Sequence, residues 1–459
     1  MTIHDVAPRT AGEVVSEIRR AVATGRTRSL DWRLAQLQGI ERLCDEREAD
    51  IAEALAADLG RTPVEAWLGD VASTKAEAAF ARKHLRKWVG RRRVSLPMAQ
   101  RPGRAWIQYD PLGVVLVIGP WNYPFYLLMG PVVAAVAAGN GVVIKPSELA
   151  PATSALVARL VPHYLDPDAI RVVEGDAQTT QDLLASGFDH ALFTGGTEIG
   201  RKIMAAAADT LTPVTLELGG KSPAIVAADA DIDVTARRLA YTKLINSGQT
   251  CIAPDYVLAD AGVADELAAK VVANIAEFRS APTLPIVNER QFDRLTALIA
   301  STSGTVVAGG GSRRADLRIE PTVIVDPSPG DAVMADEIFG PILPIMRVES
   351  TAAAVEFVNS RPKPLALYVF TKNIRQARDI IDHTPSGGAV VNHAMMHCLV
   401  PQLPFGGVGA SGMGAYHGQW GFEALSHRRA VLAKPSRPDP SIVYPPYSDR
   451  ALKLMRKLF

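Results

Sequence analysis

Short apolar runs rich in β-branched residues begin at Pro111 and alternate with helical stretches, a rhythm that few folds accept. The runs Gly113–Ile118, Gly141–Lys145, Ile170–Val173, His190–Phe193 and Val214–Leu218 predict strands. Leu127–Ala138, Ala152–Leu160, Thr179–Ala185 and Ile199–Thr210 predict the helices between them. Strands that are apolar on both faces and alternate with helices form a parallel sheet covered on both sides. The rhythm then repeats. Strands are expected at Ala224–Ala227, Tyr256–Leu258, Thr305–Val307, Leu367–Phe370 and Ala389–Asn392. Helices are expected at Val234–Asn246, Asp265–Arg279, Thr351–Asn359 and Ile374–His383. The sequence therefore predicts two α/β units, joined near Thr212-Pro213.

The flanks differ in character. Residues 12 to 89 read as helix, with apolar positions such as Val14, Ile18, Val22 and Ile51, Leu55, Leu59 at helical spacing. Leu59-Gly60 followed by Pro63 marks a helix stop. The basic run Arg82–Lys87 reads as a solvated helix face. Arg91–Pro111, with its prolines, Trp106, Ile107 and Tyr109, predicts an extended excursion. From Leu399 onward glycine, proline and irregular sequence dominate.

Composition closes several functional classes. A chain of 459 residues is long enough for two to four domains. Lys+Arg 49 against Asp+Glu 48 gives a formal charge of +1. That balance gives no electrostatic reason to expect a nucleic-acid partner, and it excludes a disordered polyelectrolyte. Cys44, Cys251 and Cys398 are too few and too scattered for a disulfide framework or a zinc site, and no metal is expected. The N-terminus shows no basic segment followed by an apolar run, and no stretch reaches the ~20 apolar residues of a membrane span. The expectation is a cytoplasmic protein in a reducing compartment.

Residues able to do chemistry cluster at predicted strand ends, where open parallel sheets bind ligands. Asn122, in Pro120-Trp121-Asn122-Tyr123-Pro124, offers a neutral amide donor for a developing oxyanion. A rigid turn explains the two prolines equally well. Lys145 and Glu148, in Lys145-Pro146-Ser147-Glu148, could reach a ribose, although strand ends commonly carry charge. The segment Phe193 to Gly200 is a strand, a glycine turn and a helix start, suited to a pyrophosphate. It does not match G-x-G-x-x-G, and a tight structural turn is a serious competitor. Glu217, before Gly219-Gly220, could be a general base or half of a structural ion pair. Cys251 has a polar, glycine-containing approach through Gly248-Gln249-Thr250, whereas Cys44 and Cys398 read as packing residues. Glu337 and Phe339 before Gly340-Pro341 fit a ribose-binding acid beside a ring packed on a cofactor, or an ordinary turn. His393, Met395, Met396 and His397 read as packing rather than metal ligation.

Taken in order, these segments resemble the aldehyde dehydrogenase superfamily. Its pattern is carried by PWNYP at 120–124, KPSE at 145–148, FTGGTEIG at 193–200, ELGGK at 217–221, GQTC at 248–251, EIFGP at 337–341 and LPFGGVGASGMG at 403–414. NSGQTCIAPDY at 246–256, LTPVTLELGGKSP at 211–223 and YPPYS at 444–448 are similar to the class three, fatty and aromatic, branch. The resemblance implies two parallel-sheet α/β domains and a small β arm. A Rossmann-like cofactor domain would comprise residues 1–90 and 112–213. The catalytic domain would span 214–398, the oligomerisation arm 91–111 and 399–430, and a tail 431–459. It implies Cys251 as nucleophile, Glu217 as general base and Asn122 as oxyanion donor. It also implies NAD, with NADP possible, held by Lys145 and Glu148 at the adenosine ribose. Gly195, Thr197 and Gly200 would lie at the pyrophosphate, and Glu337 and Phe339 at the nicotinamide end. The implied reaction is oxidation of a medium- or long-chain aliphatic or aromatic aldehyde to the acid. A CoA-acylating enzyme and a cofactor-independent cysteine esterase are the alternatives. Class three relatives are typically dimers, so a homodimer built by strand addition is expected. In the tail, Leu452, Met455, Leu458 and Phe459 would share one face of a basic helix. Such a helix would serve as a weak membrane contact, as a lid, or as neither.

Overall fold

The computed structural model describes residues 10–278 and 283–458, the side chain of Leu458 excepted. The reading of the first residues as free of a leader, the expected helix end at Arg279, and Phe459 lie outside the described residues. The first sheet runs Gly412–Met413, Val214–Leu218, His190–Gly195, Val114–Ile118, Gly141–Lys145, Ile170–Val172. All neighbours are parallel except Gly412–Met413, which pairs antiparallel with Val214–Leu218. The chain starts at the centre, builds outward through Ile170–Val172, then returns to build the other side. The order thus reverses between Val114–Ile118 and His190–Gly195, opening a crevice at their carboxyl ends. The helix Tyr126–Ala138 behind this sheet is buried at every residue, which matches its lack of a polar face.

The second sheet runs Thr305–Ala308, Thr322–Val325, Ile342–Val348, Tyr256–Asp260, Pro223–Val226, Ala366–Phe370, Gly388–Val391. Only Thr305–Ala308 is antiparallel to its neighbour. Two of its strands, Thr322–Val325 and Ile342–Val348, escape the sequence pattern, as does the helix Glu289–Ser301. Pro344 argues against a central strand because it has no N–H to donate. Its position resolves the conflict: it pairs with Ile324, while the ladder with Tyr256–Asp260 begins at Ile345.

The strand Val214–Leu218 belongs to the first sheet, so a boundary at 213 falls one strand early; the chain crosses between sheets at 219–222. Arg92–Val94, Arg104–Pro111 and Ser426–Ala433 form a separate antiparallel arm, Ser426–Ala433 on its outer edge. Of residues 399–425, Gly412–Met413 joins the first sheet and the helix Gly418–Ala424 packs on the N-terminal helical layer. The tail helix Asp449–Leu458 rests on Met98–Gln100 of the arm. Its inward face is formed by buried Ala451 and half-buried Met455; Leu452, expected on the apolar face with Met455, is exposed. No helix among the described residues is long and apolar enough to cross a membrane.

Candidate active site

A cavity of about 940 Å³ lies between the two sheets, lined by Asn122, Glu217 and Cys251 and by Lys145, Glu148, Gly195, Thr197, Glu337 and Phe339. One chamber thus holds every candidate residue except Gly200. A Cβ at Gly200 would meet Leu218 Cδ2 at 2.6 Å, so this glycine serves the close approach of helix Thr197–Ala208 to the sheet.

The loop Asn246–Cys251 is built on strained backbone. The helix expected to reach Asn246 ends at Leu244, and Asn246 and Ser247 both take φ of 51°, in the left-handed region. Gly248 follows at φ 71°, where a Cβ would stand 2.2 Å from Gly340 O. The Asn246–Cys251 loop and the Glu337–Pro341 segment therefore touch. Gln249 anchors the loop through bonds from its side chain to the carbonyls of Asn246 (3.2 Å) and Pro285 (3.1 Å) and from the N–H of Val287 (3.0 Å). Cys251 is half-buried, and burial, with Glu337 and Glu217 nearby, pushes its thiol well up.

Asn122 is buried, and its amide donates to the Gln249 carbonyl at 3.1 Å, two residues before Cys251. Its second N–H has no partner among the described residues, as an oxyanion donor requires. Glu217 is 2 % exposed and neither carboxyl oxygen has a hydrogen-bond partner among the described residues. Burial alone raises its pKa well above the carboxylate range. The sequence alternative of a structural ion pair is thus absent from this site.

Glu337 is held by residues distant in sequence, of which Arg294 lies outside every family-like motif. Asp255 accepts the Ile338 N–H at 3.0 Å and is paired to Lys221 at 2.6 Å. Lys221 also donates to the carbonyls of Val333 and Asp336, both at 2.9 Å, and Arg294 donates to those of Glu337 (3.3 Å) and Ile338 (2.5 Å). The Glu337 carboxyl leans over Gly219, where a Cβ would stand 2.0 Å from Oε2. Burial, reinforced by Asp255, pushes its pKa up to about 8. Phe339, at φ 51°, meets Trp121 edge-on with ring centroids 5.5 Å apart.

A dinucleotide fits what these residues leave open. The helix Thr197–Ala208 begins at Gly196 with no side-chain cap, so its first N–H groups are free for phosphate. Glu337 Oε1 is a buried acceptor without a partner among the described residues. Lys145 is buried and pairs with half-exposed Glu148 at 2.9 Å in the same cavity. Among the candidates read as packing, Cys44 is buried in the helix Leu30–Glu46 and Cys398 is half-buried; all three cysteines are free.

The model of the aldehyde dehydrogenase family matches residues 1–431. The chain belongs to the aldehyde dehydrogenase family. Aldehyde dehydrogenase family 3 member A2 of Macaca fascicularis is 43% identical over 95% of this chain and 91% of its own. The aldehyde dehydrogenase of Rattus norvegicus named dimeric and NADP-preferring is 44% identical over 92% of this chain and 94% of its own. A solved structure of a Staphylococcus aureus AldH in a substrate-bound state superposes with a TM-score of 0.95 at 37% identity, covering 98% of this chain and 100% of that one. This aldehyde dehydrogenase therefore stands with the class three enzymes, and the expected two-sheet α/β fold is that of the family.

Proposed function

We propose that the enzyme oxidises an aldehyde to its carboxylic acid with NAD, and NADP as a second acceptor, through a covalent Cys251 adduct. The carrying observation is the convergence of Cys251, Asn122 and Glu217 on one cavity that continues to Glu337 and the free N-terminus of helix Thr197–Ala208. Cys251 Sγ gives its proton to solvent and, as thiolate, attacks the carbonyl carbon to form a tetrahedral thiohemiacetal, which gives up hydride far more readily than a planar aldehyde. The free N–H of Asn122 and the backbone N–H of Cys251 receive the oxyanion, an effect of about 3–4 kcal/mol for a well-placed donor. Glu337 and Phe339 would hold the nicotinamide end of the cofactor, which would supply the hydride acceptor. Oxygen re-forms its carbonyl, leaving a Cys251 thioester. Glu217, once ionised, takes a proton from water, the hydroxide adds to the thioester, and acid and thiol are released.

Glu148 supports NAD as the main cofactor, because a carboxylate at the adenosine ribose repels a 2′-phosphate. Its side chain is 49% exposed, and the rat relative is named NADP-preferring, which supports NADP as a second acceptor. The class three relationship supports medium- and long-chain aliphatic or aromatic aldehydes as substrates. The name of that relative and the exposed arm support a homodimer. Three free cysteines suit a reducing compartment, the cytoplasm.

The experiment is Glu217→Gln mixed with NAD and benzaldehyde. The expected result is one NADH per active site followed by a stall, with the acyl-enzyme visible by intact mass. Wild-type turnover in water would remove Glu217 from the mechanism. Turnover restored only by CoA would move the enzyme to the acylating class, and ester hydrolysis without any NADH formation would make it an esterase.

A further inference from the structure

We propose that the buried Arg61–Asp70 ion pair positions the oxyanion donor by fixing the turn that carries Asn122 against the nucleophile loop. The inference rests on the reading of Asn122 as that donor. Arg61 is 3 % and Asp70 0 % exposed, and both come from the N-terminal helical layer, outside every family-like motif. Arg61 divides its guanidinium between two acceptors: Nη1 donates to Asp70 Oδ2, and Nη2 donates to the backbone carbonyl of Asn122 at 2.5 Å. It also lies over the Tyr123 ring, 4.3 Å from the centroid. The second oxygen of Asp70 accepts the N–H groups of Phe125 (3.1 Å) and Tyr126 (2.8 Å). These donors open the helix Tyr126–Ala138, whose own cap residue Phe125 supplies no side-chain acceptor. Asp70 reaches them from the wide π-helical turn Trp67–Val71, a local geometry often found at functional sites.

The nucleophile loop grips the same turn from the opposite side. Asn246 Nδ2 donates to the Asn122 carbonyl and to the Gln249 carbonyl, each at 3.0 Å. Tyr123 Oη and Thr250 Oγ1 lie 2.9 Å apart, one residue from Asn122 and one from Cys251. The Asn122 backbone is thus held between Arg61 and Asn246, and its side chain has little freedom left. Burying two charges carries a large solvation cost, which apolar residues of the same volume would not incur. Here all the side-chain hydrogen bonds resolved for the pair, other than the one between its partners, go to the backbone of residues 122–126. A hydrogen bond weakens steeply with angle, so a small rotation of this turn would take the Asn122 N–H off the oxyanion.

The test is a double-mutant cycle on the full-length enzyme loaded with NAD, with single-turnover NADH formation from benzaldehyde as the rate and NAD affinity by fluorescence titration as control. Asn122→Ala is expected to slow hydride transfer by about 10²–10³-fold. Arg61→Met is expected to slow it by roughly 10–10²-fold, the scale of a displaced catalytic group, with NAD affinity unchanged. In the Asn122→Ala background, Arg61→Met should cost less than about twofold, since the group it positions is gone. Full additivity of the two effects would overturn the proposal, as would a wild-type rate in Arg61→Met. A wild-type rate in Asn122→Ala would remove the oxyanion reading itself, and the positioning role would fall with its premise. If Arg61→Met does not fold, Arg61→Lys runs the same cycle, because one ammonium cannot reproduce the fork between Asp70 and Asn122.

Discussion

Burial, more than charge pairing, governs protonation around Cys251, and this fixes the pH behaviour. Glu217 has no donor to stabilise its anion among the described residues, so burial keeps its proton bound to higher pH than an ordinary carboxylate. The deacylation step, followed as decay of the acyl-enzyme by intact mass, is therefore expected to quicken as pH rises from 6 to 9. A flat profile would remove Glu217 as the base. Glu337 gives a second handle. Its pKa is raised from 4.5 to about 8, so between those values the unfolded chain binds fewer protons than the folded one. Stability then falls as pH rises through that window and levels off above it. Glu337→Gln is expected to gain stability over wild type at pH 8.5 that is absent at pH 4.5, on the order of 4 kcal/mol, read from denaturant midpoints. An equal difference at both pH values would contradict the shift. Cys251, Glu217 and Glu337 were legible in sequence because glycines or a Gly-Pro break mark the loops that present them. Arg61, Asp70 and Arg294 were not, since a contact between residue 61 and residue 122 leaves no local pattern.

At the scale of elements, loops meet where no side chain fits. Gly219 lies under the Glu337 carboxyl and Gly248 lies against Gly340, so two segments that belong to different strands share one mould. Gly248→Ala puts a Cβ at a left-handed φ against backbone, which cannot yield as a flexible side chain can. It is expected to lose most activity, measured as NADH formation, while circular dichroism stays that of wild type. Gly219→Ala displaces Glu337 instead, and a raised KM for NAD is its expected signature. Strands were legible wherever an apolar run was continuous, as in Val114–Ile118 and Ala366–Phe370. Ile342–Val348 was hidden by Pro344, and Val214–Leu218 was assigned across the boundary because a strand's sheet membership is not written in its residues. The helix assigned through Asn246 ran too far because its polar end gives no warning of two left-handed residues.

At the scale of the whole molecule, the antiparallel arm presents an open edge. Ser426–Ala433 pairs with Arg104–Pro111 on one side only, and no described strand pairs with its other edge. Such an edge invites aggregation unless it is covered. Apolar side chains stand outward on the same arm, Leu432 at 51% and Val94 at 46% exposure, and the tail helix Asp449–Leu458 leans on it rather than reaching the cavity. This position sets the expectation for removal of residues 449–459: KM for long- and short-chain aldehydes changes together or not at all. A change confined to long chains would restore the lid. Lost binding to anionic vesicles, with kinetics intact, would establish the membrane contact instead. A second copy is the cover that the arm itself supports, because an unpaired strand edge and adjoining apolar residues are both self-complementary under two-fold symmetry. Light scattering is expected to give twice the chain mass. Leu432→Lys with Val94→Lys should shift the protein toward monomer without altering its circular dichroism, since neither side chain is buried within the chain. A wild-type monomer at micromolar concentration would refute strand addition. A dimer indifferent to both lysines would move the interface away from the arm.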